Sequence, residues 1–262
     1  MATKKARQID FTNAPKDLTD HPFFGLHLDA DQLEFANTIW SQDKDIVFVD
    51  AAAGSGKTTV AVCASVLLCK YGLYDDVVYV MHPVSDTQGF LPGSITEKSS
   101  VYFEALYQAL ITANEMPEQV IRNTSMAYDK QGLAFVTAIT DSYLRGSNIG
   151  GNSKTILIVD EAQNFDTFSL RKVLTRACEN TKVIVIGHDL QCDLLRKHES
   201  GFKSCMEHFR QKNNPRFAFC SLKTCHRSLV AQVADEPWLE INPPSVFPVP
   251  IVSTTLLSNQ ER

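Results

Sequence analysis

The sequence predicts an α/β fold in which a mainly parallel sheet is flanked by helices. Two observations carry that expectation. Short apolar runs such as DIVFVD at 45–50 and TILIVD at 155–160 alternate with stretches of helical periodicity, the pattern of strand–helix–strand units. The first run leads straight into AAAGSGKTT at 51–59, so a glycine-rich turn sits between a strand and a helix.

The elements follow in order. Residues 1–20 are polar, with no apolar run, and read as a flexible arm and not a secretory signal. Residues 28–40 suit a helix capped by Asp29, with Leu33, Ala36 and Trp40 on one stripe. DIVFVD suits a strand buried on both faces, followed by a helix over 57–71 that stops near Gly72. Further strands are expected at 77–81, 133–139, 155–160, 182–187 and 216–222. Helices are expected at 97–113, 166–179, 201–211 and 226–235. One domain therefore spans 21–235, and the segment 236–262, with five prolines, reads as an extended tail.

Composition narrows the function classes. Of the 262 residues, 44% are hydrophobic and 21% charged, enough apolar content for a full core. A net charge of -5 argues against a broad cationic surface, though not against a local basic groove. The seven cysteines are scattered and form no Cys-x-x-Cys pair, which fits reduced thiols in the cytoplasm. Cys205, His208, Cys220, Cys225 and His226 match no common zinc spacing. No apolar run reaches 18 residues, so no membrane span is expected.

The glycine-rich turn has the makings of a phosphate loop. Gly54 and Gly56 let the backbone curl so that successive amides point inward, with a helix N-terminus behind them. The nucleotide-binding stretch is Ala53, Gly54, Ser55, Gly56, Lys57, Thr58 and Thr59. Lys57 would reach the β- and γ-phosphates, and Thr58 would offer its hydroxyl to Mg2+. Ala51 stands where such loops usually open on glycine. At the end of a strand, with extended backbone angles, alanine costs little.

TILIVD supplies the acidic partner. Its strand ends in Asp160, which places a carboxylate at the same sheet edge as the loop, in position to hold Mg2+ with Thr58. Glu161 would polarise the attacking water, a second carboxylate that favours hydrolysis over transfer to a metabolite. In VIVIGHDLQCDL at 183–194, Gln191 is placed to sense the γ-phosphate.

These residues together resemble the PhoH family of P-loop ATPases, relatives of the superfamily-one helicase core, over about 28–235. The motifs that carry the resemblance are AAAGSGKTT, GFLPG…EK at 89–98, YLRG at 143–146, VDEAQN at 159–164, LTR at 174–176 and GHDLQCDL at 187–194. The resemblance implies a RecA-like P-loop NTPase core that binds and hydrolyses ATP, a link to single-stranded RNA and an association with phosphate starvation. It also implies that Gln32 reads adenine and that Arg227, in CHRS at 225–228, faces the γ-phosphate. The chain departs from the family pattern at three histidines. His82 replaces an arginine before Pro83, His188 displaces the acid of Gly-Asp-x-x-Gln by one position, and His226-Arg227 reverses an arginine-histidine pair.

With one phosphate loop and one DEAQ motif, a motor would need a neighbouring subunit to complete its site. Head-to-tail contacts of that kind close into a ring, a hexamer by family analogy. Arg145, Arg171 and Arg176 are candidates for an arginine supplied to the neighbour. Two readings follow: an Mg2+-dependent ATPase acting with RNA, or an ATP-regulated switch for RNA or a protein partner with little turnover.

Overall fold

The computed structural model describes residues 13–83, 101–122, 134–144, 148–188, 192, 194 and 200–235. The chain divides after Arg227 into two units, the second beginning at Ser228. Among the described residues of the first unit, six strands form one sheet in the order β3-β2-β4-β5-β1-β6. These are β1 (Ile46–Ala51), β2 (Asp76–Met81), β3 (Val136–Thr140), β4 (Thr155–Val159), β5 (Thr181–Gly187) and β6 (Phe217–Leu222). Every pair is parallel. The expected α/β class is met, and the sheet is parallel throughout.

Alternation along the strands splits the core in two. Val47, Val49, Ile156, Ile158, Ile184 and Ile186 join one cluster, while Ile46, Phe48, Leu157, Val159, Val183 and Val185 join the other. A strand with both faces covered reads as a continuous apolar run, which is why these were visible in the sequence. On the first face lie α1 (Ala30–Trp40), α2 (Lys57–Lys70) and α3 (Glu104–Thr112), with α2 packed between the other two. Wrapped by neighbours, α2 is buried on nearly every side from Val60 to Cys69. The second face carries α5 (Thr167–Leu174) and α6 (Phe202–Arg210).

Four details differ from the expectation. A short helix, α4 (Pro117–Val120), begins at a proline whose fixed φ and missing N–H suit a first helical turn. Helix α5 ends at Leu174 and not at 179, because Ala177 leaves the helix to bridge Ile149. Residues 226–228 are not helical. The His226 amide donates to the Gly54 carbonyl at 2.9 Å, and α7 (Leu229–Asp235), in the second unit, starts beyond it. The N-terminal segment is docked before residue 20, since Trp40 Nε1 donates to the Pro15 carbonyl at 3.0 Å and Leu18 is buried. The expected tail, 236–262, and residues 1–12 of the arm lie outside the described residues.

The amino ends of the strands are tied separately. Arg216 grips Asp45 with two hydrogen bonds. Lys182 is buried there and donates to the carbonyls of Ser41 at 2.6 Å and Lys44 at 2.9 Å, and burial pushes its ammonium down to about 8. A cavity of about 500 Å3 opens at this edge, lined by Ile46, Leu174, Ala177, Val183, Phe209 and Phe217. The phosphate loop lies at the other edge. No helix among the described residues is long and apolar enough to cross a membrane.

Candidate active site

The site is built at the carboxyl ends of β1 and β4, which β5 separates. Ala51 is the last residue of β1, buried and paired with Leu222 of β6, and the Ala52 amide donates to the Leu222 carbonyl at 3.0 Å. The chain then turns through Gly54 at φ 69° and Gly56 at φ 75°, left-handed conformations that disfavour a side chain. Space is short as well. A methyl on Gly54 would come within 2.5 Å of Arg227 Cγ, and one on Gly56 within 3.0 Å of Gln32 Nε2.

The loop is gripped from two directions. Asp29 caps α1 and forms a capping box with Gln32, whose Nε2 then donates to the Ser55 carbonyl at 2.9 Å. Gln32 is thus a brace for the phosphate loop, with its Oε1 also taken by the Asp29 amide. On the other side, His226 Nε2 lies 2.9 Å from Asp29 Oδ2, and the stem of Arg227 rests on Gly54.

Thr58 donates to Asp160 Oδ2 at 2.8 Å, and Lys57 Nζ stands 3.9 Å from Glu161 Oε1. These two pairs bring the loop and the acidic strand end together. Asp160 is 1% exposed. Burial, then the adjacent Glu161 charge, raise its carboxyl above the ordinary value, against the hydrogen bonds from Tyr79 and Thr58. Tyr79, on the neighbouring strand β2, donates its hydroxyl to the same Oδ2. Burial and then the Asp160 charge push the Tyr79 phenol well up, so it remains a donor. Tyr79 was missed in the sequence because only the pairing of β2 with β4 brings it to Asp160. Its visible signal was a lone tyrosine inside an apolar run.

Glu161 has φ 50° and ψ 44°, a backbone conformation that is costly for a residue with a side chain and recurs at functional sites. Gln163 completes the acidic segment. Its Nε2 donates to Glu161 Oε2, and its Oε1 accepts from the His188 amide at 3.0 Å. His188 Nδ1 lies 3.4 Å from Asp50 Oδ1 at the end of β1, so His188 is seated between β1 and the acidic segment. His82, at the end of β2, has Nδ1 3.0 Å from Asp141 Oδ1, and Lys172 Nζ donates to Asp141 Oδ2 at 3.2 Å. Burial raises the Asp141 carboxyl, but His82 and Lys172 together outweigh it and hold the group below its ordinary value.

Gln191 and Arg145 lie outside the described residues, as does GFLPG…EK. Arg171 is exposed on α5, and Arg176, beyond its end, has a buried Nε with no hydrogen-bond partner. Thr59 follows Thr58 in the first turn of α2 and is half-buried. The Ser55 hydroxyl, 1% exposed, is another buried polar atom with no partner.

That orphaned hydroxyl, the glycine curl and the hard oxygens of Thr58 and Asp160 fit a magnesium-bound nucleoside triphosphate. A family model described as PhoH-like protein matches residues 27–236. The chain belongs to the PhoH-like family. Protein PhoH of Escherichia coli strain K12 is 29% identical over 205 residues, covering 77% of this chain and 54% of that protein. Protein PhoH2 of Thermobispora bispora is 27% identical over 226 residues, covering 83% of this chain and 48% of that protein. The chain spans about half the length of these curated relatives. Among solved structures, the large terminase of bacteriophage HK97 is similar at a TM-score of 0.48 and 15% identity, covering 78% of this chain and 41% of that one. The core is the α/β domain expected from the sequence, a six-stranded parallel sheet flanked by helices.

Proposed function

We propose that this PhoH-like chain is an Mg2+-dependent ATPase whose turnover is coupled to single-stranded RNA. The observation that carries the reading is the approach of Thr58 to Asp160 and of Lys57 to Glu161, which sets a lysine for phosphate and a carboxylate for water beside a pair of oxygens suited to a cation. Lys57 would neutralise the β- and γ-phosphates, and Thr58 and Asp160 would hold the magnesium ion. Bound there, the ion supplies charge neutralisation on the transferred phosphoryl group. Glu161 accepts a proton from the attacking water, and Gln163 fixes the direction of that carboxylate. Before nucleotide binds, Lys57 faces Glu161. A phosphate competing for Lys57 would leave Glu161 for water. Arg227, whose stem lies against Gly54, would meet phosphate oxygens.

Phosphate release with and without a short single-stranded RNA tests the reading. Glu161→Gln is expected to keep ATP binding and lose roughly 100-fold or more in turnover, the usual worth of a general base. Lys57→Ala is expected to lose ATP binding. Wild type and Glu161→Gln that both bind ATP and are equally inactive would rule out the enzyme. A nucleotide-regulated switch is the second reading, favoured by the tie from the Gly54 carbonyl to His226, which gives loop conformation a direct outlet at the end of the first unit. ATP binding that changes the partner-bound fraction with no turnover would select it.

A further inference from the structure

Two large aromatic side chains stand out in solvent at the carboxyl edge of the sheet. Phe168, in the first turn of α5, is 77% exposed, and Tyr143, in the 3-10 turn Asp141–Leu144 that follows β3, is 62% exposed. The turn and α5 pack together, and buried Asp141 anchors them by accepting from Lys172 of α5. Leu144 is buried beneath the turn, so the Tyr143 ring is set on a fixed base.

Charge says what these rings are for. The stretch TFSLRKVLTR at 167–176 carries Arg171, Lys172 and Arg176 and no acid, in a chain whose net charge is -5. Arg171 shares the exposed face with Phe168, three residues on. Among the described residues, the acids beside this stretch are already engaged. Asp166 accepts from the Ser169 amide as the cap of α5, and Asp141 is paired with Lys172 and His82. Exposed rings beside an exposed guanidinium are the combination that holds unstacked bases and their phosphates. The platform also adjoins the hydrolytic site. Only the segment from Ala162 to Asp166 separates Glu161 from α5, and the ring of Phe165 in that segment packs 5.3 Å from the ring of His82.

We propose that Tyr143, Phe168 and Arg171 form a stacking platform for single-stranded nucleic acid. The assignment rests on the coupling to RNA put forward above and names the surface that performs it. A strand stacked on Phe168 would bear on α5 and so on the backbone that leads from Glu161.

The test measures fluorescence anisotropy of the full chain with labelled oligo(rU), oligo(dT) and a duplex, together with RNA-free phosphate release and native mass on the same samples. Phe168→Ala and Tyr143→Ala are each expected to weaken single-strand binding by roughly tenfold, with RNA-free turnover and mass unchanged. Phe168→Tyr and Tyr143→Phe, which keep a ring, are expected to bind like wild type. Tighter binding of oligo(rU) than oligo(dT) identifies RNA as the ligand, and equal binding identifies any single strand. The proposal is overturned by wild-type affinity in both alanine variants, by a duplex bound as tightly as either strand, or by a wild type that binds neither. A loss of native mass at unchanged affinity also overturns it, in favour of a protein contact. Absent ATP hydrolysis alongside ring-dependent binding would sink the ATPase reading and leave the platform standing.

Discussion

Asp160 is held by more than the loop it serves. Its Oδ2 accepts from both Thr58 and Tyr79, and its Oδ1 accepts from the Glu161 amide at 2.8 Å. These donors favour the ionised form against burial and the Glu161 charge, which favour the proton. Removing the Tyr79 hydroxyl therefore raises the Asp160 carboxyl further. A metal-holding carboxylate is lost as pH falls through its own pKa, so raising that pKa moves the acid limb of activity to higher pH. For Tyr79→Phe we expect that shift, and a roughly tenfold higher Mg2+ concentration for half-maximal hydrolysis, the usual cost of losing a partner that orients a ligand. A magnesium titration of phosphate release at several pH values checks it, and an unchanged profile would remove Tyr79 from the site. The same residue marks the limit of the sequence. Asp160 and Glu161 were legible because a strand ending in acids is a local pattern. Tyr79 acts across a strand pair, and the bond by which Gln32, expected at adenine, also braces Ser55 joins residues 23 apart in the chain.

The strand–loop–helix unit from β1 to α2 explains why the alanine at its opening is harmless and the glycines after it are not. Ala51 is still paired in the sheet and has no positive φ, so glycine there would gain no needed freedom and would cost stability in the unfolded chain's favour. We expect Ala51→Gly to bind ATP normally and to lose about 0.5–1 kcal/mol of stability in a denaturant titration. Gly54→Ala meets two penalties, a left-handed φ and the Arg227 stem within contact distance, so it should weaken ATP binding while the fold persists. Normal ATP binding by Gly54→Ala would mean that the curl is not the cradle. Strands β1, β4 and β5 were legible to within one residue because both of their faces are buried. Helix ends were less so. The end of α5 and the extended path at His226 are set by a bridge to Ile149 and a bond to Gly54, contacts between segments far apart in the chain.

The phosphate loop and its acidic partner raise the question of what completes the site. Arg227 is the arginine that the first unit itself lays against the loop, through its packing on Gly54. If it alone sufficed, turnover per chain would be independent of protein concentration. A ring in which each chain lends an arginine to the next predicts otherwise, because the contributed charge stabilises the transition state only when neighbours meet. With Arg171 assigned to the strand platform, Arg145 and Arg176 are the candidates for that role. We expect specific activity to rise with concentration as the native mass climbs to a multiple of 29.2 kDa. The sharper test mixes two damaged chains. Lys57→Ala cannot bind its own nucleotide but carries every arginine, whereas Arg176→Ala has an intact loop but lacks one donor. If Arg176 acts on the neighbour, each is slow alone and the mixture recovers turnover, since a lent arginine is worth roughly 10³-fold or more. If the mixture gives only the sum of its parts, Arg176 is not the lent residue and the same pairing with Arg145→Ala decides the other. Turnover that stays constant down to the mass of one chain would mean that Arg227 completes the site unaided.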